Sequence, residues 1–289
     1  MRKLLIIFVF LTVQTLFAQP AFFYHNQQIK EWYIQPTDSV FQEDVRKVLS
    51  TDEIKALLAE NKLTSEAILP FFHSIDFDQD GLSDLLFQGK LKDKNYVIIY
   101  KKKVNGEFSL IFNQMGEILQ ANLPNRNNPL SITIWNQVCC SFKVSTLTKW
   151  VCMIKNGVSY FECQEQSLVY RHTILPNVGD NMKPLHHFTI KNEVAKLRMS
   201  PRLDDESTVD GSNAWKGNHI SYHPFGATGV VYSSLKDKDN VTWYFIKINT
   251  GKEFPTKSDR FKVSDEIDDC SDYSYYGWIH GDNLNLIKP

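Results

Sequence analysis

The chain of 289 residues carries 32 basic against 33 acidic side chains, a formal net charge of −1, with both signs dispersed along its length. That balance argues against a nucleic-acid partner, whose phosphates call for a basic patch. A content of 43% hydrophobic and 13% aromatic residues excludes a disordered chain and favours packed β structure.

From the N-terminus, Arg2 and Lys3, the apolar run 4–11 and Leu16-Phe17-Ala18 before Gln19-Pro20 predict a signal peptide over residues 1–18, cut after Ala18. The expected destination is therefore secreted, periplasmic or extracellular. No cysteine stands at the cut site for lipid attachment, and no second apolar run is long enough for a transmembrane segment. After a short extended stretch at 22–24, Ser39-x-x-Gln42 and Ser50-x-x-Glu53 carry the capping-box pattern and predict two helices. Val40, Phe41, Val45, Val48 and Leu49 suit one apolar face, and Ile54, Leu57 and Leu58 another.

Acidic residues then alternate in Ile75-Asp76-Phe77-Asp78-Gln79-Asp80-Gly81-Leu82-Ser83-Asp84-Leu85. Asp76, Asp78 and Asp80 can converge on one hard cation with the Leu82 carbonyl and Asp84, while Gly81 permits the sharp turn, so Ca²⁺ is the expected cofactor. An EF-hand loop closes on a bidentate Glu at its twelfth position, but here that position is Phe87. The plainer alternative is a solvated turn whose aspartates bond the backbone.

The loop sits between strand-like segments: 71–75 before it, Asp84-Leu85-Leu86-Phe87 after it, then Tyr96-Val97-Ile98-Ile99-Tyr100 and Phe108-Ser109-Leu110-Ile111-Phe112. Together residues 69–112 resemble a single unit of the FG-GAP or VCBS repeat, which implies a blade-like, calcium-binding β unit. The motif does not recur, so a closed propeller is not expected. Asn105-Gly106 and Asn156-Gly157 mark hairpins, and β-type runs continue to about residue 170. They predict one antiparallel sheet stapled by calcium, widened by the later hairpins and covered by the N-terminal helices.

Five cysteines leave an odd one. The Asn156-Gly157 turn would set Cys152 opposite Phe161 and Cys163 opposite Trp150, on one face but diagonal, at the limit of disulfide reach. Buried free thiols are the expectation, with one bridge among Cys139, Cys140, Cys152 and Cys163 as the alternative.

The turn-rich stretch Leu175-Pro176-Asn177-Val178-Gly179-Asp180-Asn181-Met182-Lys183-Pro184 predicts a boundary between a domain at 19–180 and another at 191–289. In the second, Ala195-Lys196-Leu197-Arg198-Met199-Ser200-Pro201, Gly226-Ala227-Thr228-Gly229-Val230-Val231, Trp243-Tyr244-Phe245-Ile246-Lys247-Ile248 and Tyr276-Gly277-Trp278-Ile279-His280-Gly281-Asp282-Asn283-Leu284 follow one another. In that order they resemble a bacterial Src-homology-3 (SH3-like) domain. The segments 204–222 and 251–273 are longer than that family's usual loops. The resemblance implies a small β-barrel in which Trp243, Tyr244 and Trp278 line a ligand-binding groove, unless Trp243 and Trp278 fill the core. Tyr275 and Tyr276 alternate faces, so at most one is expected to be exposed.

Asp269-Cys270-Ser271-Asp272 faintly echoes the nucleophile turn of cell-wall cysteine peptidases, but only the last hairpin follows it. No Gly-x-Ser-x-Gly elbow, phosphate loop or His-Glu-x-x-His is present. His219 and His223 lie four apart, yet Gly217, Pro224 and Gly226 argue against a helix there. The expected fold is mainly β: a helix-covered antiparallel β domain with a calcium loop, followed by a small SH3-like β-barrel. The expected function is that of a secreted bacterial calcium-binding protein, a non-catalytic binding or scaffold module for cell-wall glycopeptide or envelope protein. The alternative is an envelope hydrolase, or its accessory subunit, with an unrecognised active site.

Overall fold

The computed structural model describes residues 39–91, 94–125, 128–137, 144–176, 183–207, 216–250, 270 and 273–288. The expected signal peptide at 1–18, the stretch 22–24, Cys139, Cys140 and most of the segment 251–273 lie outside them.

Two helices open the described chain. Helix α1 (Ser39–Leu49) buries Phe41, Val45, Val48 and Leu49 as its spacing predicts, but Val40 points to solvent at 62% exposure. Helix α2 (Asp52–Asn61) is led by Thr51 rather than Ser50. The observed N-cap thus lies one residue beyond the expected Ser50. Ser50 Oγ donates to the Lys47 carbonyl (2.7 Å) and Thr51 Oγ1 to the Val48 carbonyl (2.8 Å), so both hydroxyls close the end of α1. The same two carbonyls accept the Ser50 N–H (3.2 Å) and the Thr51 N–H (3.1 Å), so the tight α1–α2 turn satisfies the helix end with both backbone and hydroxyl donors. A short helix α3 (Ser65–Ile68), capped by Thr64, and a 3-10 turn (Leu69–Phe71) lead into the first strand.

Strands β1 (Phe72–Ile75), β2 (Asp84–Leu91), β3 (Lys94–Lys102) and β4 (Phe108–Met115) form a four-stranded antiparallel meander in sequence order. Its alternating side chains face two cores. Leu85, Phe87, Ile98 and Tyr100 pack against α1 and α2, while Leu86, Val97, Ile99 and Phe112 face the second sheet. Burial of each large apolar side chain contributes roughly 1.5–3 kcal/mol, and it is this double cover that fixes the meander's register.

The later hairpins do not widen that sheet. They begin a second one, because the chain turns at Gly116 with φ +128°, a backbone conformation that side chains rarely adopt. A Cβ there would lie 2.6 Å from both the Ile134 side chain and the Trp135 carbonyl. Beyond it run β5 (Glu117–Asn122), β6 (Ser131–Asn136), β7 (Val144–Lys155) and β8 (Val158–Tyr170), then β9 (His186–Ile190), β10 (Val194–Arg198) and β11 (His219–Pro224). The last four are β12 (Thr228–Lys236), β13 (Thr242–Thr250), β14 (Tyr273–His280) and β15 (Leu284–Ile287).

These strands share a sheet of order β15-β9-β12-β13-β14-β8-β7-β6-β5, with the β10–β11 hairpin joined to β14 where Arg198 meets Trp278. The described strands close no barrel. The turn-rich stretch lies between β8 and β9, and strands from its two sides meet where β14 runs parallel to β8. All other pairings among the described strands are antiparallel.

Both expected turns exist: Gly106 (φ +82°) links β3 to β4, and Asn156 and Gly157 (φ +54° and +76°) link β7 to β8. The second hairpin pairs Cys152 with Phe161 and Trp150 with Cys163, as expected. The bridge, however, joins Cys163 to Cys270, with Cα atoms 5.3 Å apart, and leaves Cys152 as a buried free thiol. The parallel β8–β14 register explains it. Tyr273 lies beside Gln166, and Cys163 and Cys270 each stand three residues before their own segment's member of that pair.

Candidate metal site

The acidic loop connects β1 to β2, and Asp84, the first residue of β2, pairs with Ile75. Asp84 is fully buried. Its carboxylate accepts the Lys102 N–H (2.8 Å) and the Phe77 N–H (3.4 Å). Burial pushes its pKa up to about 7, opposed by these two N–H donors and helped by the negative charges of Asp78 and Asp80. Positive φ angles at Gln79 (+61°) and Gly81 (+86°) curl the loop back on itself. Asp76 then receives the N–H groups of Asp80 (3.2 Å) and Gly81 (3.1 Å), and Asp80 Oδ1 receives that of Leu82 (2.9 Å). The plain turn reading is therefore correct for part of the loop.

It does not account for the rest. One oxygen from each of Asp76, Asp78 and Asp84 lies within 4.8 Å of the others. Ca²⁺ takes oxygens at about 2.3–2.6 Å, so three oxygens at such separations fit around one ion. The Asp78 side chain is only 2% exposed, and its Oδ1 is buried with no hydrogen-bond partner. A buried carboxylate oxygen without a partner leaves a position open to a cation or a water molecule. Of the other expected ligands, Asp80 lies outside this cluster and turns Oδ2 toward Lys101 Nζ at 3.1 Å, and its Oδ1 is the acceptor of the Leu82 N–H.

Two residues that the motif does not announce complete the site. Lys101, on β3, pairs with Asp78 Oδ2 as well as Asp80, and donates to Ser159 Oγ at 3.2 Å. Ser159, on β8, donates its own hydroxyl to Asp78. Burial works against the Lys101 charge, but the Asp78 and Asp80 carboxylates hold its pKa above the ordinary lysine value. Nearby, burial first and the Asp78 charge second push the Cys152 thiol up to about 12, so it stays protonated. At the tip, Gln79 Nε2 donates to the Asn125 carbonyl (2.9 Å), at the rim of a cleft of about 720 Å³ lined by Asn122, Asn128, Lys149 and Gln164 among others.

The expected ligand-binding aromatics are placed differently. Trp243 and Trp278 are each 1% exposed; their indole N–H groups donate to Asp237 Oδ2 (2.9 Å) and to the Ile174 carbonyl (2.6 Å). Both fill the core, and Tyr244 is half-buried. Tyr275 and Tyr276 are both buried, because β14 is flanked by β13 and β8 and has a core on each face. Histidines 219 and 223 lie on a strand, β11. Ser221 Oγ and His223 Nε2 are 2.9 Å apart, but both side chains are buried beyond a substrate's reach, and burial lowers the His223 pKa to about 3.

No described helix is long and apolar enough to cross a membrane. The chain matches no protein-family model, no curated protein and no solved structure.

Proposed function

We propose that the protein is a secreted bacterial calcium-binding module that holds cell-wall or envelope ligands without transforming them. The observation that carries the reading is the convergence of one oxygen from each of Asp76, Asp78 and Asp84, together with the partnerless Oδ1 of Asp78. These three residues would hold the ion. Its role there would be to neutralise the loop's carboxylates and lock β1 against β2.

Export is supported by the basic and apolar start of the chain and by the Cys163–Cys270 bridge, since disulfides persist in oxidising compartments. The SH3-like reading is supported by its four sequence pieces, which fall on β10, β12, β13 and β14 and on the turns beside them. A ligand face in that half would centre on Tyr244, with Trp243 and Trp278 as the rigid packing behind it. The test is elemental analysis of protein purified without chelator, followed by pull-down on peptidoglycan and envelope extract. One calcium per chain and retention that falls on Tyr244→Ala at unchanged melting temperature are expected. Absence of calcium removes the metal reading, and undiminished retention of the variant removes the Tyr244 face.

A further inference from the structure

We propose that the Lys101 ammonium group and calcium compete for the same carboxylates, so that Lys101 sets the loop's affinity for the ion. The inference rests on the calcium reading above and adds a regulator to it. Lys101 Nζ pairs with Asp78 Oδ2 and stands 3.1 Å from Asp80 Oδ2. Asp78 is at the same time one of the three residues whose oxygens converge, and its second oxygen is the partnerless one. A monovalent and a divalent cation held on one carboxylate repel each other, and in a partly buried site solvent and salt screen that repulsion poorly. The Lys101 side chain is 21% exposed, so the ammonium has a route into water when the ion arrives.

Two details give the exchange its form. Asp80 lies outside the three-carboxylate cluster while its Oδ2 faces Lys101, so departure of the ammonium frees a fourth carboxylate for the ion. Ser159 donates to Asp78 from β8, so Asp78 keeps an orienting partner that does not depend on the lysine. In the metal-free protein Lys101 serves as the loop's own cation, preventing two carboxylates from repelling one another. Affinity for calcium is then the intrinsic affinity of the carboxylates reduced by the cost of releasing that ion pair.

The test is a calorimetric titration with CaCl₂ of chelator-treated protein in three forms: wild type, Lys101→Met and Lys101→Arg. Lys101→Met should bind calcium tighter by roughly 5- to 150-fold, the usual range for coupled binding events. Lys101→Arg, which keeps the charge, should stay close to wild type. In EDTA, Lys101→Met should melt below wild type, and with calcium it should recover or exceed it. If wild type binds and Lys101→Met binds no tighter, competition is refuted while the calcium reading stands. Equal tightening by Lys101→Arg also refutes it, since charge is then irrelevant. Binding by Lys101→Met alone supports competition and replaces the idea of a resident ion in the wild type. No binding by any folded variant removes both. Lys101→Gln serves in place of the methionine variant if that one does not fold.

Discussion

Asp84 makes the charge of the acidic loop depend on pH. In the metal-free fold its pKa stands near 7 against an unperturbed 3.8, so between those values the folded chain keeps a proton that the unfolded chain has released. Stability from this group accordingly increases as pH falls through 7 and is lost as pH rises. Calcium needs the ionised carboxylate, so its binding near neutral pH should release a proton and weaken as the pH drops from 8 to 6. Titrations in buffers of different ionisation enthalpy measure that proton; none released would remove Asp84 from the ligand set. His223 acts with the opposite sign, since its lowered pKa means stability lost as pH falls below about 6.5. The acidic loop was legible in the sequence because its carboxylates alternate within nine residues. Lys101 and Ser159 were not, because they reach Asp78 from 23 and 81 residues away.

Among the elements, β14 shows how pairing decides which side chains are available. Its aromatic character is plain in the sequence, but burial of Trp278 depends on cover that includes the Ile174 segment after β8, far away in the chain. Trp278→Ala and Trp243→Ala should therefore each cost about 3–5 kcal/mol of stability in chemical denaturation. A loss of under 1 kcal/mol in either would show that its pocket is not close-packed. The same parallel pairing determines the disulfide: the expected alternative drew both partners from Cys139, Cys140, Cys152 and Cys163, whereas Cys270 comes near Cys163 only through the β8–β14 pairing. The bridge closes a separation of 107 residues, for which loop entropy gives about 4.7 kcal/mol and removal of native bridges about 2–5 kcal/mol. Cys163→Ser should lower the denaturation midpoint accordingly, and an unchanged midpoint would place the bridge's contribution at zero.

At the scale of the whole molecule, the two sheets meet across a core that includes Phe77 of the acidic loop, Phe112 of β4 and Trp150 and Cys152 of β7. Phe77 and Phe112 each pack on Phe161 of β8, with ring centroids 5.8 and 4.6 Å apart. The loop is thus tied to both sheets, through Phe77 in the core and through Ser159 on Asp78. Calcium that binds only the folded chain would stabilise it by mass action, about 2.7 kcal/mol at a hundredfold excess over the dissociation constant. Its first effect should be local, since opening free energies vary across a structure. Hydrogen exchange with calcium and with EDTA tests the central claim most directly. Residues 76–84 and the adjoining ends of β1, β2 and β3 should gain protection with calcium, while β12 and β13 change little. Identical exchange over 76–84 in the two conditions would contradict the account.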